Sequence, residues 1–83
     1  MTPAQRTEYA EAVWEEFLLR SGQPATRSIS PVEWYTLAGW MNAGIPLRVV
    51  LRGLEDTGRP GRALTYYRAS VAQAAENWRK ALA

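Results

Sequence analysis

The sequence predicts an all-α fold, a compact bundle of about four short helices. Apolar residues recur at helical spacing in four separate segments, three capping boxes mark helix starts, and no segment alternates as a strand does. Eighty-three residues are enough for one domain, 1–83, with helices expected at about 3–21, 31–43, 46–56 and 64–82.

The first helix begins at Thr2-Pro3-Ala4-Gln5, which supplies an N-cap threonine, a proline at the first helical position and a reciprocal glutamine. Its apolar stripe is Tyr9, Val13, Trp14, Phe17 and Leu18, with Glu8, Glu11, Glu15 and Glu16 on the other side, and Gly22 and Pro24 end it near Ser21. After a polar linker, Ser30-Pro31-Val32-Glu33 repeats the start signal. Trp34, Leu37, Ala38 and Met41 are expected to form the second stripe, ending at Asn42-Ala43-Gly44, where Ile45 provides the apolar contact of a Schellman motif. Pro46 opens a third helix with Leu47, Val50, Leu51 and Leu54 inward and Arg48, Arg52 and Glu55 on a different face. Asp56 to Arg62 carries two glycines, a proline and two arginines and reads as a loop, the element expected to be most mobile. Leu64 to Ala69 can form a separate helical turn. Ser70-Val71-Ala72-Gln73 resembles a third capping box, and Val71, Ala74, Ala75, Trp78 and Leu82 make the last stripe.

Composition narrows the chemistry. There is no cysteine and no histidine, which excludes disulfides, thiolate zinc sites, imidazole catalysis and Ser-His or Cys-His nucleophile pairs. No stretch approaches the roughly 20 apolar residues of a membrane span, and the N-terminus lacks a secretory apolar run. These features predict a cytoplasmic protein that binds a partner and does not act as an enzyme, with no cofactor, metal or membrane. The charge is uneven: three arginines against five glutamates up to Glu33, then seven basic against three acidic residues from Trp34 onward.

Arginines neutralise phosphates and tyrosines stack on unpaired bases, so Arg48, Arg52, Arg59, Arg62 and Arg68 with Tyr66 form the candidate nucleic-acid-binding set. A solvated basic surface is the plainer alternative, and Glu55 and Asp56 dilute the patch. The corner between the second and third helices matches a helix-turn-helix in outline, but only Arg48 stands where bases would be read. Gly58-Arg59-Pro60-Gly61 has GxxG spacing without the mixed α/β fold that motif needs. The adjacent pairs Glu15-Glu16 and Glu55-Asp56 point about 100° apart on a helix and do not converge on one atom. Trp40, on the flank of the second stripe, and Tyr35 are the candidate protein-partner residues: an exposed pair there would mark a protein interface.

Three blocks carry a family resemblance: Ser30-Pro31-x-Glu33-Trp34-x-x-Leu37-x-x-Trp40, then Gly44-Ile45-Pro46-Leu47-x-Val49-Val50-Leu51-Arg52-Gly53-Leu54, then Leu64-Thr65-Tyr66-Tyr67 before Val71 and Trp78. Together they resemble a small helical domain of uncharacterised bacterial proteins, over about Tyr9 to Leu82. Over the C-terminal two-thirds they are distantly similar to DnaD-like domains of phage and bacterial replication initiation proteins. That similarity implies contact with DNA and helicase-loading partners around the C-terminal helix, with Tyr67, Val71 and Trp78 at the matching positions. The tryptophan is spaced farther from the aliphatic residue than in DnaD domains, and little tail follows it. The function expected is therefore an accessory or adaptor domain in DNA replication or mobile-element biology. Its expected partner is DNA, single-stranded DNA included, or a replication protein. The alternatives are a protein-interaction module acting as a homodimer and a helix-turn-helix regulator.

Overall fold

The structure, a computed structural model, describes every residue from Met1 to Ala83. It contains four α-helices, α1 (Pro3–Ser21), α2 (Pro31–Asn42), α3 (Leu47–Glu55) and α4 (Arg68–Leu82), with a 3₁₀ turn at Leu64–Tyr67 leading into α4. No strand is present, and no helix is long and apolar enough to cross a membrane.

Two of the three expected capping boxes form. Thr2 and Ser30 each accept a bond from the backbone N–H three residues on, while the Gln5 and Glu33 side chains accept from the N-cap N–H. The third does not. Ser70 lies inside α4 and donates its hydroxyl to the Gly53 carbonyl of α3, so it ties two helices together instead of starting one. The 3₁₀ turn has already begun that helix, and a cap is not needed at Ser70. At the end of α2 the Schellman arrangement is present: Gly44 adopts φ 74°, its N–H reaches the Met41 carbonyl, and the Ile45 N–H reaches Trp40 at 3.2 Å. Ile45 is buried there and accepts the Tyr9 hydroxyl at 2.6 Å through its carbonyl, which fixes α1 against the turn between α2 and α3.

A core of 16 buried side chains draws on all four helices and the 3₁₀ turn. The closest pairing is between α3 and α4, where a methyl group at Gly53 would lie 2.6 Å from the Val71 Cα. α1 packs on α2 and α3, while α2 meets α1 and the 3₁₀ turn and scarcely touches α4. The α2 stripe differs from expectation. Leu37, Trp40, Met41 and the Glu33 carboxylate face inward, whereas Trp34 is exposed. Glu33 turns inward to meet Arg27 and Leu64, and this rotates α2 away from the register that would have buried Trp34. α4 keeps Val71, Ala74 and Ala75 in the core with Trp78 packed against it, but Leu82 is exposed at its end.

Candidate functional site

The segment between α3 and α4 carries three of the six predicted nucleic-acid residues, Arg59, Arg62 and Tyr66, and a buried carboxylate holds its C-terminal part in place. Glu33 is 2 % exposed and accepts four hydrogen bonds from three residues. The Arg27 guanidinium gives two of them, at 3.0 and 3.1 Å, in a bidentate fork. The Ser30 N–H gives a third at 3.1 Å, and the Leu64 N–H, from across the chain, gives the fourth at 2.8 Å. Burial alone would raise the carboxyl's pKa, but the bonds from Arg27, Leu64 and Ser30 together outweigh it and hold Glu33 below the usual carboxylate range. Arg27 is set in turn by aromatic faces, its guanidinium lying 5.1 Å from the Trp14 ring centroid and 5.5 Å from that of Phe17.

Further bonds continue this anchoring into the loop. Gln23 donates its side-chain amide to the Arg62 carbonyl at 2.7 Å, and the Gly61 N–H donates to the buried Tyr67 hydroxyl at 3.0 Å. Gly61 is itself buried, with the Tyr66 ring packed onto it so closely that a methyl group there would sit 2.2 Å from ring atoms. Tyr66 also meets Tyr67 edge to face at 5.4 Å, yet stays 53 % exposed. The Asp56 to Arg62 segment is therefore tied at its C-terminal end, through Gly61 and Arg62, with Leu64 held just beyond it, while the side chains of Arg59, Arg62, Tyr66 and Arg68 remain at the surface.

The six candidate residues do not form one patch. Arg59, Arg62, Tyr66 and Arg68 fall within ten residues, and no carboxylate pairs with these three arginines. Arg48 and Arg52 line a separate groove of about 400 Å³ between α3 and α4, together with Asp56, Asn77 and Trp78. Arg52 lies 3.7 Å from the Asp56 carboxylate, so its charge is partly answered within the chain. The outward face of α3 thus passes from Arg48 and Arg52 directly to Glu55 and Asp56, which suits a basic recognition helix poorly. Tyr67 and Val71, which carry the DnaD-like resemblance, are in the core, and Trp78 is packed against it.

The two candidate partner residues separate as well. Tyr35 is 77 % exposed, but Trp40 is 8 % exposed and belongs to the core, so the exposed Trp40–Tyr35 pair that would mark a protein interface is not formed. Rotation of α2 toward Glu33 brings Trp40 into the stripe at the expense of Trp34. No group of three or more acidic side chains is placed to hold a metal ion, Glu15-Glu16 and Glu55-Asp56 included.

The Arg27–Glu33–Leu64 junction has no long-range signature in the sequence. Its one trace is that Glu33 is the only charged residue between Pro31 and Asn42. The chain matches no family model, no curated protein and no solved structure.

Proposed function

We propose that this chain is a non-catalytic, cytoplasmic helical adaptor that contacts nucleic acid, with DNA as the first candidate, through Arg59, Arg62, Tyr66 and Arg68. The observation that carries the reading is that Arg59, Arg62 and Arg68 are exposed and without acidic partners within ten residues of sequence that also hold the exposed Tyr66, on a stretch tied to the core at Gly61, Arg62 and Leu64. Such arginines bind phosphates by releasing counterions, and a fixed aromatic face stacks on an unpaired base without selecting its identity. Anchoring matters because a held loop loses less conformational entropy on binding. Arg48 stands as an outlying phosphate contact, and Arg52 contributes less because Asp56 competes for it. The resemblance to DnaD-like domains supports a place in replication or in mobile elements.

The test is fluorescence anisotropy with labelled single-stranded and double-stranded oligonucleotides at two salt concentrations. Micromolar binding that weakens as salt rises, and that favours the single strand, is the expected result. The absence of salt-dependent binding in that range overturns the proposal.

A further inference from the structure

A helix on a protein surface ordinarily presents charged side chains to water. α2 does not: its one charged residue, Glu33, is buried, and its outer face offers Val32 at 63 % exposure and Tyr35 at 77 %. That face borders an open cleft of about 630 Å³ toward α4, where α2 leans on the 3₁₀ turn instead of packing along α4. Trp40, Ala69 and Ala72 line the cleft with Val32 and Tyr35, and Gly39 leaves room for a close backbone approach. Arg68 is the one charged residue lining it, and no carboxylate pairs with Arg68.

We propose that the α2–α4 cleft receives an amphipathic helix of another protein, one that brings apolar anchors for Val32, Tyr35 and Ala72 and a carboxylate for Arg68. The cleft has the form of a helix-in-groove site, with small residues along it, apolar walls and one unanswered charge at a fixed position. Charge argues against a second copy of this chain as the occupant. Face to face, two clefts bring two Arg68 side chains and no acid. The acidic face of α1 brings Glu8, Glu11 and Glu15, but Leu19 is its only exposed large apolar side chain. An acidic amphipathic helix supplies both requirements. The proposal does not rest on nucleic-acid binding, although Arg68 belongs to both sets of residues.

The probe is a displayed library of random 16-residue peptides, selected on the intact protein and re-measured as labelled synthetic peptides. Enrichment of sequences with apolar residues at helical spacing and at least one Asp or Glu is expected. Tyr35→Asp and Ala72→Arg should each weaken these peptides by about tenfold or more, as the loss of an interface anchor does. Both positions are exposed, so circular dichroism should show an unchanged fold. Arg68→Glu should lose the acidic peptides and regain binding when their carboxylate is replaced by lysine. A selection that enriches nothing, or binders indifferent to Tyr35→Asp and Ala72→Arg, overturns the proposal. So does sedimentation of the free protein as a dimer that Tyr35→Asp dissociates. Tyr35→Asp should leave oligonucleotide binding intact, and loss of both activities together overturns the two-surface account.

Discussion

Replacement of Glu33 by alanine removes the junction that connects the linker, α2 and the α3–α4 segment. The Leu64 N–H is buried and would be left without a partner, at a cost of about 1–3 kcal/mol. The Ser30 N–H would lose its reciprocal cap, about 0.5–1 kcal/mol in a setting that water can partly reach. Removing one member of a buried ion pair costs about 3–5 kcal/mol, but the Arg27 side chain is 26 % exposed and recovers part of that from solvent. Because these terms overlap, a total near 3–4 kcal/mol is expected. Domains of this size have about 4–12 kcal/mol in all, so the variant should approach the edge of stability, with a Tm lower by about 12–25 °C. Urea titration followed by tryptophan fluorescence and thermal circular dichroism measure this directly. A change below about 1 kcal/mol would refute the reasoning and assign the loop's order to something other than the buried carboxylate.

The same group predicts an acid response. The folded-state pKa of Glu33 lies below its unfolded value near 4.5, so its contribution is present above that pH and is lost as pH falls through the folded value. Glu33→Gln should lower stability at neutral pH and flatten the acid limb below pH 4.5, which paired pH–stability curves would show. Tyr9 gives the opposite limb: burial pushes its hydroxyl up to about 12, so its stabilisation holds below its ordinary value of 10 and fades as pH rises toward 12. Tyr9→Phe should remove that alkaline dependence and cost about 1 kcal/mol at neutral pH through the lost bond to Ile45. Gly53→Ala should destabilise by about 1–3 kcal/mol although alanine is the better helix former, because the added methyl meets Val71 backbone at 2.6 Å. Gly39→Ala, with nothing within 4 Å, should instead stabilise by about 0.5–1 kcal/mol while filling part of the α2–α4 cleft and weakening selected peptides.

Local signals proved more legible than long-range ones. The starts of α1 and α2 were readable because Thr2-Pro3-Ala4-Gln5 and Ser30-Pro31-Val32-Glu33 settle their own hydrogen bonds within four residues. The end of α2 was readable for the same reason, through Gly44 and Ile45. Ser70 shows the limit of such signals, since a cap pattern inside an established helix can serve a different carbonyl, here that of Gly53. The α2 register is not readable from the apolar pattern alone, because Glu33 becomes compatible with the core only through Arg27 and Leu64, which no periodicity reports. The arginines of the candidate site were visible as residues. That Arg48 and Arg52 line the α3–α4 groove while Arg68 lines the cleft between α2 and α4 is a property of packing, which residue spacing does not report.

Arg59→Ala combined with Arg62→Ala offers the most direct test of nucleic-acid contact, because both side chains are exposed and the loop's anchors lie in the Arg62 carbonyl, Gly61 and Leu64. Oligonucleotide affinity should be measured for this variant and the parent protein from about 50 to 200 mM salt, with Tm recorded alongside. The variant should keep its Tm, bind more weakly and show a log–log salt slope shallower by about 1.5, reflecting two lost phosphate contacts. An unchanged affinity and slope in a folded variant would contradict the proposed nucleic-acid surface.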